Sequence, residues 1–404
     1  MANRIDRIHV RNFRSLADVE VELQDINVLF GRNGAGKSSF LDTVWFARDC
    51  AARNVELASS TRSHGIGLLF DGAADDAYLE LMLTSGDVRY ELRFGMSAGR
   101  IEPFPGEKLL LAPLGHALIE RAVGTDKAKF WHPKFHELTV TLREPQKLSL
   151  ARYADLDDSA PEAADMDRAL RFVHKYDARR FFLQRIKAQG SESSHETYLW
   201  DYGDNLWSVL RNLRDRTKFD SRYVTILEFM REAFPSSFDD LVFESTGPAT
   251  VYGSFLEKGR RKPILASGVS DGHLQLLLLL TALFSEGESR GSLMLFDEPE
   301  ISLHPWALAV LARAMRAAAT VWNKQIILAT HSPVLLSQFE PSEILVSEMV
   351  DGRTSMRRLS EVKEVQDLLQ EYTVGSLYMS ETIASQGGTT GEPTTAASGA
   401  PNGD

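Results

Sequence analysis

The chain has 404 residues, 43% hydrophobic and 25% charged, with a net charge of −11. That is enough to bury one large core or two ordinary ones and is ordinary for a globular protein. The acidic balance argues against broad, charge-driven nucleic-acid binding but leaves room for a local basic patch, and the single cysteine, Cys50, excludes an internal disulfide or a cysteine-built zinc site.

The N-terminus, "MANRIDRIHVRNFRS", lacks the apolar core of a signal peptide. The longest nearly apolar run, residues 274–284, falls short of the roughly 20 residues that a membrane span needs. These features predict a soluble, cytoplasmic protein with no membrane partner. Residues 5–10 and 17–23 alternate apolar and polar, as half-buried strands do. The run "INVLF" at 26–30 is a short apolar run that stops at Gly31, which fits a buried strand; helical apolar spacing follows over 40–46. Residues 78–83 and 88–94 flank the turn "TSGD" as a hairpin, and strand-like pieces at 108–111, 117–123 and 137–142 extend it into an antiparallel layer. An acidic stretch containing Pro161 leads into a region, 155–265, expected to be mainly helical, with helices over 206–213 and 224–234. Residues 251–265, broken by "EKGRRKP", read as another hairpin. A leucine-rich helix follows Ser270-Asp271-Gly272. Apolar strands at 293–296 and 325–330 then bracket an alanine-rich helix at 305–319 with Pro305 in its first turn. From residue 384 the chain is rich in Gly, Ser, Thr, Pro and Ala, has no large apolar residue, and reads as a tail.

Between 171 and 187, six cations (Arg171, Lys175, Arg179, Arg180, Arg185, Lys187) face one acid, Asp177. They read first as a solvated helix face and second as a DNA contact.

The chemistry concentrates in four places. "GRNGAGKSS" comprises Gly31, Arg32, Asn33, Gly34, Ala35, Gly36, Lys37, Ser38 and Ser39 and matches the phosphate-binding pattern G-x-x-x-x-G-K-[ST]. Its glycines let the backbone wrap phosphate oxygens, and the following helix directs its positive end at the anion. Lys37 is expected to reach the β- and γ-phosphates of ATP and Ser38 to ligate Mg²⁺. "LMLFDEPEISLHP" is an apolar strand ending in two acids. Asp297 suits a water-mediated Mg²⁺ contact, and Glu298 suits a general base that orients the attacking water. "QIILATHSP" ends a second apolar strand at His331, 34 positions after Asp297. Parallel strands would bring both ends to one edge, where His331 could meet the γ-phosphate or the water. Ser270-Asp271-Gly272 opens the leucine helix, either as a plain cap or as a second phosphate site. One ATP needs one P-loop, so such a site would serve the ATP of another copy.

The order Lys37, Ser270-Asp271-Gly272, Asp297-Glu298, Ser302-Leu303-His304-Pro305, His331 resembles ABC-type ATPase heads of the RecF, SMC and OLD branch. "RNFRS" at 11–15, "DYGDNLWSVL" at 201–210 and "YTVGSLYMSETIASQGG" at 372–388 extend the resemblance to stand-alone bacterial ATPases of that branch. The resemblance implies an α/β fold with a mostly parallel core sheet, an antiparallel β layer at about 70–150 and a helical insertion at about 155–265. It implies ATP and Mg²⁺ as ligands. It also implies a head-to-tail homodimer in which Ser270, Asp271 and Gly272 meet the partner's ATP and Ser302 to His304 cross over. Gln184 of "RRFFLQ" would be the Mg²⁺- and γ-phosphate-sensing glutamine, with Gln146 as its rival. Only 73 residues follow His331 and none forms D-x-D, so no Toprim nuclease domain is expected. The implied function is an ATP-hydrolysing switch in DNA repair or antiphage defence, acting on DNA or a partner. The second possibility is an ATP-gated subunit whose effector is a separate chain.

Overall fold

The alternation at the N-terminus becomes a hairpin: strands Arg7–Phe13 and Leu16–Glu22 pair antiparallel, with Ile8, Val10 and Phe13 buried. The structure, a computed structural model, describes residues 4–362 apart from 75, 113–114, 157, 217, 219, 247–248 and 287–291. The tail from 384 and the stretch at 372–388 lie outside the described residues.

Two large sheets organise the chain. One has eight antiparallel strands in the order His136–Thr141, Lys127–His132, His116–Arg121, Gly106–Leu111, Val88–Phe94, Leu79–Ser85, Arg7–Phe13, Leu16–Glu22. The other has six, in the order Val173–Asp177, Ser292–Asp297, Lys324–Thr330, Ile26–Phe30, Ile344–Val350, Arg353–Arg358. The first five run parallel and the last closes the edge antiparallel.

The central strands are buried at every position and apolar through most of their length, because both faces are covered. Leu29, Leu295 and Ile327 face helix Lys37–Ala52, where Phe40, Leu41, Val44 and Phe46 share a core with Ile8, Val10, Leu81 and Leu92 of the antiparallel sheet. The alternate residues Val28, Phe30, Met294, Phe296, Ile326 and Leu328 face the opposite core. That second core holds the five leucines 276–280 of helix Asp271–Phe284, together with helices Leu206–Asp215, Arg222–Ala233 and Pro305–Thr320. Among the described residues no helix is long and apolar enough to cross a membrane.

Several strands escape the sequence pattern. Val173–Asp177 ("VHKYD") lies inside the stretch expected to be helical, yet it forms the edge of the parallel sheet. The same stretch carries a small sheet in which Phe238–Thr246 and Ser191–Glu192 flank Thr250–Glu257. The expected pairing across "EKGRRKP" is present but short, with Ser254 and Phe255 opposite Leu265 and Ile264. The six cations at 171–187 do not share a helix face. They are spread over a helix end, a strand, a 3-10 turn and helix Leu183–Gln189.

Candidate active site

The strand Ile26–Phe30 delivers the glycine loop to the C-terminal edge of the parallel sheet, where helix Lys37–Ala52 begins. Gly31, Gly34 and Gly36 have φ of 152°, 81° and 92°, angles that glycine adopts readily. At two of them space is also closed. A Cβ on Gly31 would lie 2.0 Å from Ser347 O, and one on Gly36 would lie 2.1 Å from Thr354 Oγ1. The hairpin Ile344–Val350/Arg353–Arg358 therefore backs the loop. Thr354 is tied in turn to Ser15, its N–H donating to Ser15 O at 2.8 Å and its hydroxyl to Ser15 Oγ at 2.7 Å. The "RNFRS" turn thus buttresses the glycine loop through that hairpin, and Arg14 adds an ion pair to Asp42 of the following helix at 2.9 Å.

Arg32, Asn33, Gly34 and Ser38 form an exposed rim, while Lys37 is buried. Lys37 Nζ donates to Gly31 O at 2.6 Å and Arg32 O at 2.9 Å and lies 3.4 Å from His331 Nδ1. Burial holds its ammonium down at about 8, against the pull of Asp297, Glu298 and Glu300. Ser38 donates to Asp297 Oδ1 at 3.2 Å. Burial raises the Asp297 carboxyl even with Lys175 and Arg179 nearby.

Glu298 continues the ladder through its N–H on Ala329 O at 2.9 Å but adopts φ 51°. A non-glycine residue in the left-handed region is held there by its surroundings, and such residues gather at functional sites. Glu298 Oε1 lies 3.2 Å from His331 Nε2 and 3.4 Å from Arg179 Nη1. One imidazole ring therefore joins Lys37 on one side to Glu298 on the other. Glu300 fixes that ring's backbone, accepting from His331 N at 2.8 Å and Thr330 Oγ1 at 2.8 Å. Its other oxygen, Oε2, is buried without a hydrogen-bond partner among the described residues.

Arg179 is the residue that the sequence did not single out. Asp177 sits beside Asp297 in register at the tips of paired parallel strands. Arg179 forks onto both oxygens of Asp177, at 2.9 and 3.1 Å, and reaches Asp297 Oδ2 at 3.2 Å. It thereby bridges three carboxylates on one edge, Asp177, Asp297 and Glu298, with a single positive charge. Gln184 is exposed on helix Leu183–Gln189, and among the described residues no hydrogen bond joins it to Ser38 or Asp297. Gln146 lies elsewhere, its carbonyl accepting from Val55 N at 2.9 Å.

Ser38 and Asp297 offer hard oxygens side by side, the donor type that Mg²⁺ prefers. Among the described residues no group of three or more His, Cys, Asp or Glu is arranged to hold a metal ion.

Ser270, Asp271 and Gly272 stand apart from this cluster. Ser270 caps helix Asp271–Phe284, and Asp271 pairs with Lys187 at 2.5 Å. A Cβ on Gly272 would lie 2.7 Å from Ser302 O, so the helix start and the "SLHP" turn touch. Ser302 has φ 63°, and Ser302 and His304 are exposed.

The family described as "AAA domain, putative AbiEii toxin, Type IV TA system" matches residues 26–337, most of the chain. Protein ea59 of Escherichia phage lambda is 41% identical over 75 residues, 18% of this chain and 14% of that protein. The DNA replication and repair protein RecF of Shewanella loihica is 29% identical over 84 residues, 20% of this chain and 21% of that protein. The chain therefore matches well under two thirds of the length of these curated relatives. The crystal structure of an SMC head bound to the C-terminal winged-helix domain of ScpA is 14% identical, with a TM-score of 0.51 covering 87% of this chain and 97% of that one. That similarity establishes the ABC-type head fold. The chain belongs to the AAA-domain family that matches it over 26–337, as an ATPase domain of RecF- and SMC-like type.

Proposed function

We propose that this chain hydrolyses ATP and uses ATP to close head to tail with a second copy of itself. One observation carries the reading. Lys37, Ser38, Asp297, Glu298 and His331 come from three separate segments and, bridged by Arg179 between Asp297 and Glu298, form one connected polar cluster at the C-terminal edge of the parallel sheet. In this reading Lys37 leaves the loop carbonyls for the β- and γ-phosphates. Ser38 and Asp297 would hold Mg²⁺, which would supply neutralisation of phosphate charge. Glu298 orients and deprotonates the attacking water, and His331 holds the γ-phosphate end of the site against Glu298.

The second half of the reading concerns Ser270-Asp271-Gly272. Among the described residues no hydrogen bond or ion pair links them to their own glycine loop. They are exposed or half-exposed at a helix start, beside the exposed Ser302 turn. A partner's ATP fits there because helix N-termini attract phosphate. Opening and closing of such a dimer suits a switch in DNA repair or antiphage defence, with DNA or another protein receiving the change.

Replacing Glu298 by Gln removes the base and keeps the shape. Hydrolysis should fall by about 10²–10⁴-fold, and the protein should run as a dimer with ATP and a monomer without it in light scattering. A Glu298→Gln protein that hydrolyses ATP normally, or stays monomeric with saturating ATP, counts against the proposal.

A further inference from the structure

His273 follows the exposed cap and occupies a position that the proposed chemistry does not use. Its ring stacks on Phe234 at 3.7 Å and 15° and meets Phe255 edge-on at 6.5 Å and 85°. Clamped this way, it places a nitrogen at each of two serines. Nδ1 is 2.7 Å from Ser270 Oγ, and Nε2 is 3.3 Å from Ser237 Oγ. Burial lowers its pKa, which favours the neutral ring with one N–H and one acceptor nitrogen.

Two proton arrangements satisfy that geometry. In the first, Ser270 donates its hydroxyl proton to Nδ1, and Nε2–H donates to Ser237. In the second, the Ser237 hydroxyl donates to Nε2, and Nδ1–H donates to Ser270. They differ in what Ser270 can offer outward. The first uses its only proton inside its own subunit and leaves a lone pair facing an incoming anion. The second has Ser270 Oγ accept twice on its inner side, from the ring and from the His273 backbone N–H at 3.4 Å. The hydroxyl proton is then directed away from the helix.

We infer that His273 is a positioning residue for Ser270: its Nδ1–H donates to Ser270 Oγ, so that the Ser270 hydroxyl donates to a phosphate oxygen of the nucleotide held by the partner copy. The inference rests on the head-to-tail reading above. Ser237, at the start of the small sheet, completes the relay and ties the phosphate-facing serine to the packing of Phe234. The close approach of Gly272 to Ser302 O keeps the same turn rigid.

The alternative role for the third helical residue behind a serine cap is a capping box, which Glu and Gln serve alike. The two roles separate in a pair of variants made in the Glu298→Gln background. His273→Gln keeps a side-chain N–H for Ser270. His273→Glu keeps the cap and suits a helix start, but can only accept, so it takes the Ser270 proton and adds negative charge. The ATP-dependent dimer dissociation constant, read by sedimentation velocity, should stay within about threefold for Gln. It should rise at least about tenfold for Glu, the loss of one good hydrogen bond at each of two sites. Binding of MANT-ATP to the monomer should be equal in both, since among the described residues His273 and Lys37 share no partner. Melting curves confirm that both fold.

Equal dimerisation by the Gln and Glu variants, whether strong or weak, overturns the role assigned to His273. Ser270→Arg in the same background is the control and should abolish the dimer. If the parent stays monomeric with ATP, or Ser270→Arg dimerises normally, the head-to-tail reading itself falls and takes the role of His273 with it.

Discussion

The two ends of the parallel strands both bury charge, but they treat it in opposite ways. At the N-terminal end, Glu286 lies against His174 Nε2 at 2.8 Å and Lys324 Nζ at 3.4 Å. Burial pushes the Glu286 carboxyl up, yet His174, Lys324 and Ser292 together outweigh it and hold it down at about 2. At the C-terminal end burial wins: Lys37 is held down at about 8 and Asp297 is raised. In the first cluster the Glu286 carboxylate is more comfortable folded than unfolded. The second is under-compensated and gains most from an added anion and cation. Ionisable groups whose surroundings disfavour their charge collect where a ligand supplies the missing partner. The same sheet thus has a structural end and a functional end.

This contrast predicts that damage at the two ends registers on different instruments. Glu286→Leu removes the carboxylate against which His174 and Lys324 lie, and breaking a buried pair costs about 3–5 kcal/mol. Calorimetry should show that loss, while the hydrolysis rate per folded molecule stays unchanged. A large fall in kcat at full stability would erase the distinction. Acid should act through the same group. A carboxyl depressed from its ordinary 4.5 to about 2 stabilises the fold above the ordinary value, and that contribution disappears as pH falls from 4.5 through 2. It amounts to about 3 kcal/mol at about 1.4 kcal/mol per pKa unit. Urea midpoints measured from pH 6 to pH 2 should fall more steeply for the wild type than for Glu286→Leu.

The functional end should behave in reverse. Lys37→Met should weaken ATP binding at least about 100-fold, the worth of two charge-assisted hydrogen bonds, in a calorimetric titration. The nucleotide-free protein should melt no lower than wild type, because folding already disfavours the Lys37 charge. A marked loss of stability would mean that its contacts to Gly31 O and Arg32 O are structural cement.

How much of this was legible in the sequence follows from where the signal is local. The glycine loop, the acids after "LMLF" and His331 each close an apolar strand, so pattern and chemistry coincide within ten residues. Parallel pairing then brings the strand ends together, which spacing alone can anticipate. The edge strand Val173–Asp177 was missed because "VHKYD" has little apolar pattern: His174 belongs to the cluster at one end and Asp177 to the cluster at the other. Missing that strand hid Arg179, whose place depends on Asp177 standing beside Asp297. It also left Gln184 as the nominal sensor, five residues beyond Arg179 and on an exposed helix face. The backing hairpin Ile344–Val350/Arg353–Arg358 was invisible for another reason: its contact with Gly31 and Gly36 is long-range, and only the glycines' lack of side chains records it.

Arg179 is where the comparison can be sharpened most finely, since it is a compensating charge at the under-compensated end. It touches Asp177, Asp297 and Glu298, and among the described residues no hydrogen bond or ion pair joins it to the glycine loop. Losing it should therefore disturb the carboxylates and spare the hold on phosphate. Arg179→Ala should lower kcat about tenfold, the scale of one lost charge-assisted hydrogen bond, with KM for ATP within about twofold. Arg179→Lys should fall between, because a single ammonium restores charge but not the fork on Asp177. If KM rises and kcat holds, Arg179 belongs to the phosphate-binding side, and the three carboxylates are held in place without it.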